Sequence, residues 1–395
     1  MKKPAFAFFD SLASRFVLTM GVVNLFADMT YEGGASINGQ FLGMLGAGAA
    51  AISIIAGLGE FLGYALRSLA GYVADKSGRY WTVTFIGYAI NLLAVPAMAL
   101  AGDWRVAAVF ILLERIGRAI RKPTVEAMLS YTTAELGKGR VYAINTAMDE
   151  IGATVGPLAV AAVLFLGGSY RTCFALLLIS SLLALASLTV ARVNFPLPSS
   201  LEEGPTAQDE RFARSYWLHM LAGACFAAGL LSYELIAYHL ASTGLVEDSW
   251  IPVLLAFATG CGVIASLVFG RLYDQSGLPV VLIAVVLSAL FTPLVFQGTL
   301  LAALLAMPLW GIGYATQDTL LKAIVAGVLP KGKRSLAFGL FYAGYGVGWL
   351  LGSIAAGLLY EYSQVGLIAF AVAAQLASLP VFVFAHRMAA PGGRQ

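Results

Sequence analysis

The segment Gly71-Tyr72-Val73-Ala74-Asp75-Lys76-Ser77-Gly78-Arg79 is a short polar hinge between two long apolar runs. Its pattern returns at Gly270-Arg271-Leu272-Tyr273-Asp274-Gln275-Ser276-Gly277. Gly71, Asp75 and Gly78 reappear as Gly270, Asp274 and Gly277, each shifted by 199 positions. Because the same motif occurs twice, half a chain apart, the chain is predicted to have arisen by duplication.

The composition is that of a membrane protein. Of 395 residues, 59% are hydrophobic and 11% are charged, whereas soluble domains carry roughly a quarter charged residues. The apolar residues form runs of about 20 or more, long enough to cross a hydrocarbon core roughly 30 Å thick as helices. The alternating segments of about 10 residues that build a transmembrane barrel are absent from the sequence. We therefore predict an all-α membrane protein.

Twelve membrane spans are predicted, and one polar linker divides them into two sets of six. The spans are placed at about 15–43, 48–74, 81–101, 105–133, 139–166, 171–192, 216–243, 249–273, 278–297, 299–328, 335–360 and 364–387. The linker contains Pro196, Pro198 and Pro205 together with several acidic residues. The predicted domains are an N-terminal six-helix bundle at 1–193, a cytoplasmic linker at 194–215 and a C-terminal six-helix bundle at 216–395.

The basic residues indicate the orientation in the membrane. With the N-terminus inside, Arg105 and Arg171 are the only basic residues in the predicted outer loops. The inner side carries Lys76, Arg79, Lys138, Arg140, Arg192, Arg211, Arg214, Arg271, Lys331, Lys333, Arg334 and Arg387. By the positive-inside rule, both termini are predicted to lie in the cytoplasm. We expect a multi-pass protein of the inner (cytoplasmic) membrane without a cleaved signal peptide.

Twelve spans in a six-plus-six arrangement, with the hinge motif after spans two and eight, resemble the major facilitator superfamily over essentially the whole chain. The loop signature of that family reads roughly G-x3-D-[RK]-x-G-[RK]-[RK]. The first hinge departs from it only at Tyr80, whereas the second has Gln275, Leu278 and Pro279 at the basic positions. The resemblance implies two pseudo-symmetric six-helix bundles that rock about a central site, and no enzymatic activity. A single copy of the motif also fits an ordinary turn between helices.

A second resemblance lies in span five. The segment Gly152-Ala153-Thr154-Val155-Gly156-Pro157 is similar to the G-x3-G-P motif of antiporters in this superfamily, although the small residues that usually follow are incomplete. Small residues four apart also let any two helices pack closely, so helix packing is the alternative interpretation. The segments at 115–123 and 147–153 resemble a poorly characterised prokaryotic branch of the superfamily.

Ionisable residues inside spans usually face a cavity or each other, because a charge in the bilayer costs a few kcal/mol or more. Asp28 and Glu32 in span one are four apart and share a helix face, so that one of them is expected to take up a proton. Span seven has Tyr233 and Glu234 where span one has Tyr31 and Glu32. The resemblance implies that the two pairs face each other across the central cavity. Proton or cation coupling and purely structural pairing both stay open.

Span four carries the strongest charged stripe of the chain, formed by Glu114, Arg118, Arg121, Lys122 and Glu126. Pairs four apart, Glu114 with Arg118 and Lys122 with Glu126, leave Arg121 without a partner in its own helix. We expect Arg121 to pair with Asp149 or Glu150 of span five, or to bind an anionic group of the substrate.

The candidate residues form three groups. Proton or ion coupling is assigned to Asp28, Glu32, Glu234, Asp149 and Glu150. The substrate cavity is assigned to Tyr31, Glu114, Arg118, Arg121, Tyr233, Gln317 and Tyr345. Gating is assigned to Gly71, Asp75, Gly78, Arg79, Arg140, Gly152, Gly156, Pro157 and Asp274. In the gate, we expect Asp75 to form a latch with Arg140 that holds the inner side shut in the outward-open state.

The predicted function is secondary active transport of a small solute, coupled to protons and working as export by antiport. One alternative is an iron-type divalent-metal transporter with Asp28, Glu32, Glu234 and His239 as ligands. Another is a membrane sensor on a transporter-like scaffold. The absence of a P-loop motif argues against ATP hydrolysis by this chain, and no cofactor is expected. The expected partners are the solute, the coupling proton or cation and the lipid bilayer. Nucleic acid is not expected, and the chain is predicted to be a monomer.

Overall fold

The computed structural model of the chain describes residues 11–130, 132, 136, 138–196, 214–296, 298–321, 324 and 334–389. Regular structure within these ranges is entirely helical. This agrees with a chain that crosses lipid, because a helix satisfies its own backbone hydrogen bonds where no water is available.

The first half of the chain forms six long helices. They are α1 (Leu12–Met44), α2 (Ala49–Ser77), α3 (Tyr80–Ala97), α4 (Trp104–Ser130), α5 (Lys138–Phe165) and α6 (Tyr170–Asn194). The second half forms α7 (Arg214–Gly229), α8 (Tyr233–Ser242), α9 (Ile251–Ser276), α10 (Leu278–Ala289), α11 (Phe291–Val295), α12 (Leu300–Ala315), α13 (Arg334–Tyr362) and α14 (Gln364–Ala389). A π-helical turn at Thr316–Leu321 continues α12.

Two predicted spans are interrupted in the structure. The seventh, expected to be continuous over 216–243, consists of α7 and α8, which are separated at residues 230–232. The Ser232 side chain caps α8 by accepting a hydrogen bond from the Leu235 amide at 3.4 Å. The ninth consists of α10 and α11. With each pair counted as one span, the described helices give the predicted twelve.

The fourth span differs in composition from the others. In the part of the chain that the structure describes, eleven helical stretches are long and apolar enough to cross a membrane, and α4 is not among them. Its 27 residues give it the length of a span, but residues 114 to 126 include six charged side chains. Charges at membrane depth are tolerated where they face protein or a water-filled cavity, so α4 is expected to lie on the inside of its bundle.

The chain divides into two compact units. Unit 1 comprises Met1–Gly34, Leu66–Ala101 and Val109–Gly204, and unit 2 comprises Ala35–Ala65, Gly102–Ala108 and Pro205–Gln395. The boundaries pass through α1, α2 and α4, so the last part of α1 and the first part of α2 belong to unit 2. The division at a linker of residues 194–215 stays a prediction, and residues 197–213 lie outside the described part of the chain.

Glycines of α5 bring two helices together in unit 1. A Cβ atom on Gly152 would meet the Leu25 carbonyl of α1, and one on Gly156 would meet the Met29 carbonyl. In unit 2, Gly348 and Gly352 of α13 make the same kind of contact with Ala224 and Ala228 of α7. The two seams join span five to span one and span eleven to span seven. This correspondence is what a duplicated chain requires.

Unit 2 also contains close contacts with the parts of α1 and α2 that belong to it. Gly39 of α1 lies against the backbone carbonyl of Glu234 in α8. Ser53 of α2 donates a hydrogen bond to the Ser353 carbonyl of α13 at 2.7 Å. Helices in lipid associate through such small-residue contacts and hydrogen bonds rather than through hydrophobic burial.

The two hinges share a positive φ at their last glycine. Gly78 has φ of 63° and Gly277 has φ of 67°, values that glycine adopts without a steric penalty. In each copy this glycine follows the helix that precedes the hinge and lets the chain reverse. The duplicated motif is therefore a duplicated turn.

Candidate functional site

A buried ion pair joins α1 to α4 in unit 1. Arg121 Nη2 lies 3.7 Å from Asp28 Oδ1, and the two side chains are 6% and 9% exposed. The structure therefore supplies a partner for Arg121 that differs from the expected Asp149 or Glu150. The reason is that α4 turns this face toward α1, a rotation that spacing along α4 does not reveal.

Aromatic rings surround the two arginines of α4. The Arg118 guanidinium lies 4.3 Å from the centre of the Tyr31 ring, and Arg121 lies 4.5 Å from that of Tyr88 and 5.6 Å from that of Tyr31. Such cation–π contacts hold a guanidinium in a protein interior without a full complement of hydrogen bonds. Tyr31, Arg118 and Arg121, all predicted cavity residues, thus come together.

Glu114, another predicted cavity residue, is buried beside α3. Asn91 donates hydrogen bonds of 2.9 Å to Glu114 Oε1 and 3.1 Å to its backbone carbonyl. Arg115 Nε lies 3.3 Å from Glu114 Oε2. Glu114 therefore pairs with its neighbour Arg115 and not, as expected, with Arg118, because Arg118 lies over the Tyr31 ring.

A chain of amide hydrogen bonds continues from this cluster to α5. Tyr88 donates to Asn24 Oδ1, and Asn24 donates to Asn145 Oδ1 at 2.7 Å. Asn145 then donates to Asp149 Oδ2 at 3.1 Å. The other oxygen, Asp149 Oδ1, is buried and has no hydrogen-bond partner among the described residues. The predicted coupling residue Asp149 is therefore held by one oxygen, and the other stays available.

In unit 2, Gln317 lies between two tyrosine hydroxyls. It occupies the π-helical turn after α12, donates to the Tyr64 hydroxyl, and accepts from the Tyr345 hydroxyl at 3.1 Å. Tyr64 stacks on Tyr342 with ring centres 5.3 Å apart and an interplanar angle of 8°. The predicted cavity residues Gln317 and Tyr345 are thus neighbours. Tyr64, which belongs to α2, completes their arrangement.

The predicted site residues of α8 have structural contacts. The Tyr233 hydroxyl donates to the Ile251 carbonyl, and its ring packs against Trp310. Glu234 is buried and interacts with other residues. His239 Nδ1 lies 2.9 Å from the Tyr360 hydroxyl. Within the described ranges no three His, Cys, Asp or Glu side chains form a group that could hold a metal ion, so nothing there favours the metal alternative.

The first hinge has an internal hydrogen bond. Tyr80, which stands at the last basic position of the motif, donates to Asp75 Oδ1 at 2.7 Å. Asp75, Arg79 and Asp274 are exposed. The side chain of Arg140 lies outside the described residues, so the predicted latch between Asp75 and Arg140 stays a prediction.

The amides of the unit 1 network were absent from the sequence prediction. Asn24, Asn91 and Asn145 are polar residues within apolar spans, and Tyr88 stands among aliphatic residues of span three. Amide side chains at such positions cost free energy unless they are hydrogen-bonded, which is the signal that marks them in a sequence. Their partners become evident only in the folded bundle.

The model of the Major Facilitator Superfamily matches residues 5–275 and 220–395 of this chain. An uncharacterised protein of Mycobacterium tuberculosis is 32% identical over 384 residues, covering 95% of this chain and 94% of that protein. An uncharacterised MFS-type transporter of Methanocaldococcus jannaschii is 26% identical over 366 residues, 90% of each chain. A probable sugar efflux transporter of Haemophilus influenzae is 26% identical over 167 residues, 40% of this chain and 42% of that protein.

Solved transporters share the fold. A crystal structure of a mutant of the nucleoside transporter NupG superposes with a TM-score of 0.74 at 14% identity, covering 94% of this chain and 99% of that one. A mutant of the peptide transporter POT gives 0.75 at 15% identity and 94% of each chain. The major facilitator fold is confirmed, and the protein is a multi-pass, non-enzymatic membrane transporter with a small-molecule substrate. The chain belongs to the Major Facilitator Superfamily.

Proposed function

We propose that this transporter exports a small organic solute in exchange for protons, by alternating access around a site that includes the Asp28–Arg121 ion pair. That pair, buried between α1 and α4, is the observation that carries the proposal. Ionisable groups inside membrane-spanning helices are costly and mark ion pathways in membrane proteins. A buried carboxylate whose paired guanidinium lies 3.7 Å away, beyond hydrogen-bond distance, can accept a proton and release it again.

The charge balance of the cluster supports one coupling proton. Among the described charged side chains of α1, α4 and α5, those that are not exposed comprise five carboxyl groups, of Asp28, Glu32, Glu114, Asp149 and Glu150, and four cations, of Arg115, Arg118, Arg121 and Lys122. Fully ionised, the cluster has one negative charge in excess. One proton removes this excess. A solute that donates hydrogen bonds to one of these carboxylates needs that group ionised, so the proton and the solute compete for it. Antiport requires that the proton and the solute bind one after the other and not at the same time.

Two further features support export by antiport as the proposed direction. The close contact of α5 with α1 through Gly152 and Gly156 accompanies the antiporter-like motif, and Pro157 weakens the helix beside it. One relative is a probable sugar efflux transporter. We place the protein in the inner (cytoplasmic) membrane as a monomer with both termini in the cytoplasm, and we assign the rocking bodies to residues 1–193 and 216–395. Glu32 and Glu234 serve as further carboxyls on the proton path.

The exchange proposal predicts that Asp28→Asn abolishes proton release during transport. In inverted membrane vesicles with an acid interior, an exported solute is taken up as protons leave, and a pH-sensitive dye reports the loss of the gradient. We expect this response for the wild type and none for Asp28→Asn, because the amide cannot exchange a proton. Glu126→Gln, an exposed acid on α4, is the matched control. A solute carried by the wild type without any change in vesicle pH would refute proton exchange.

The hinge geometry predicts opposite effects of two substitutions on the gate. Asp75→Asn removes the carboxylate of the latch and should favour the inward-open state. Tyr80→Phe removes the 2.7 Å hydrogen bond that engages Asp75 within its own hinge, so it should free Asp75 for Arg140 and favour the outward-open state. Spin labels at Ser77→Cys and Ser276→Cys, equivalent positions of the two hinges, measure the opening by electron–electron double resonance in a background without native cysteines. Unchanged distance distributions in both variants would contradict the latch.

A further inference from the structure

We propose that unit 2 binds the transported solute through an aromatic cage, and that this solute is a planar heteroaromatic ring with hydrogen-bonding groups on its edge. The aromatic cage consists of Tyr64, Tyr314, Gln317, Tyr342, Tyr345 and Trp349. The inference rests on the proposed function, because it names the class of solute that the transporter carries. It depends on the ring geometry, on unused hydrogen-bonding capacity and on the backbone at Gln317.

The rings form a continuous series around Gln317. Tyr64 and Tyr342 are stacked, and Tyr345 meets Tyr64 edge-on with ring centres 5.7 Å apart. Trp349 lies 5.8 Å from Tyr345 and 5.9 Å from Tyr314. These are the stacked and edge-to-face contacts that aromatic rings favour at about 4.5–7 Å, and a flat ring of a solute can join such a series through the same contacts.

Two side chains of the cage keep hydrogen-bonding capacity that the protein does not use. Trp349 is 1% exposed, and its Nε1–H has no hydrogen-bond partner among the described residues. Gln317 uses one N–H and one lone pair on the tyrosine hydroxyls, so its amide retains one donor and one acceptor. An unpaired buried donor destabilises the protein and gains from a ligand acceptor. A ligand with acceptors and a donor on its rim would satisfy the Trp349 N–H and the remaining donor and acceptor of the Gln317 amide.

The backbone at Gln317 is itself unusual. Thr316–Leu321 forms a π-helical turn at the end of α12, and π-turns within helices occur frequently at functional sites. The wider turn is where the Gln317 amide meets Tyr64 and Tyr345. The chain thus departs from a regular α-helix at Gln317, the residue that would form hydrogen bonds with the edge of the solute.

The cage is closed around Trp349 in this structure. Its ring is fully buried, whereas Tyr314 and Tyr342 are partly exposed. A solute therefore reaches the Trp349 N–H after these two rings move aside. Such a change accompanies alternating access, in which the helices that line the site shift between states.

The test measures binding to the purified full-length protein by tryptophan fluorescence and by thermal stabilisation. The probes are cytosine, 2-aminopurine and lumichrome as planar heteroaromatics of one, two and three rings, glucose as a saturated ring, and choline as a cation without a ring. We expect at least one planar probe to bind and glucose and choline not to bind. Binding of glucose or choline in preference to every planar probe, or binding of no probe, would overturn the cage.

Two conservative variants separate binding from folding. Trp349→Phe keeps a ring but removes the N–H, and Gln317→Met keeps the length but removes the amide. Each should weaken the planar probe about tenfold, the effect of one or two lost hydrogen bonds, while thermal stability without ligand stays close to the wild type. Trp217→Phe, at a 44% exposed position on α7, is the control. Wild-type affinity in both cage variants would refute the assignment.

Failure of the cage and failure of proton exchange give different results. Binding in detergent needs no gradient. If a planar probe binds and is carried into the vesicles without discharging the pH gradient, proton exchange fails and the cage stands. If a solute of another class discharges the gradient and no planar probe binds, the cage fails and proton exchange stands.

Discussion

Arg121→Ala is expected to destabilise the folded protein by about 3–5 kcal/mol, the loss typical of breaking one side of a buried ion pair. The substitution leaves the Asp28 carboxylate, 9% exposed in the ion pair, without its cation. It also removes the guanidinium from the faces of Tyr88 and Tyr31. The measurement is the free energy of unfolding in detergent, followed by denaturant titration.

Removing both charges should restore much of this stability. In the double variant Asp28→Asn with Arg121→Gln, no buried charge is left unpaired, and polar groups of similar size can bond to each other. Arg105→Ala, an exposed arginine at the start of α4, is the control and should change stability by less than about 0.5 kcal/mol. A loss below about 1 kcal/mol for Arg121→Ala, or a double variant less stable than the single one, would show that the pair is not buried as described.

Gly156→Ala is expected to destabilise the contact of α5 with α1 by about 1–3 kcal/mol, the range for overpacking a close contact. Its new methyl group would collide with the Met29 carbonyl and lie 3.0 Å from the Gly33 amide. Both obstacles are backbone atoms of a helix, which cannot rotate away as a side chain can. The two helices must therefore separate, and a shift in the melting temperature of the purified protein measures the effect.

The control for this prediction is the same substitution at a glycine with open space. Gly260 lies in α9, and a Cβ atom there would meet nothing within 4 Å. Gly260→Ala should be neutral or stabilising by about 0.5–1 kcal/mol, because alanine favours the helix. If Gly156→Ala and Gly260→Ala had equal effects, close approach at Gly156 would be disproved. The comparison removes the general helix preference of alanine from the result.

Much of the fold was predictable because it depends on local patterns. The long, mostly apolar runs predicted the spans, and the repeated hinge predicted two turns that the structure shows with a positive φ at both Gly78 and Gly277. The break before Ser232 was missed, because a short polar cap inside an apolar run looks like a continuous span. The charged stripe of α4 was recognised as unusual, and it is the feature that separates α4 from the eleven apolar spans.

The sequence predicts which residues belong to the candidate site better than it predicts which of them contact each other. Asp28, Arg118 and Arg121 were identified as charges at membrane depth, but the Asp28–Arg121 pair and the Tyr31 contact with Arg118 join helices that are distant in sequence. Spacing along one helix favoured Glu114 with Arg118, whereas the structure pairs Glu114 with Arg115 and Asn91. The relative rotation of neighbouring helices decides such pairs, and periodicity within one helix does not contain it.

The sequence by itself determined that this protein is a duplicated bundle of membrane helices with charges where lipid would not tolerate them. Hydrophobic length and motif repetition are properties of the chain, so they can be read without coordinates. Only the tertiary structure decided that Asp28 neutralises Arg121, that Asn24 and Asn145 connect Tyr88 to Asp149, and that the hinge carboxylate Asp75 receives its hydrogen bond from Tyr80. The physical reason is that side-chain pairing needs distances of a few ångströms, which helix packing and turn geometry set.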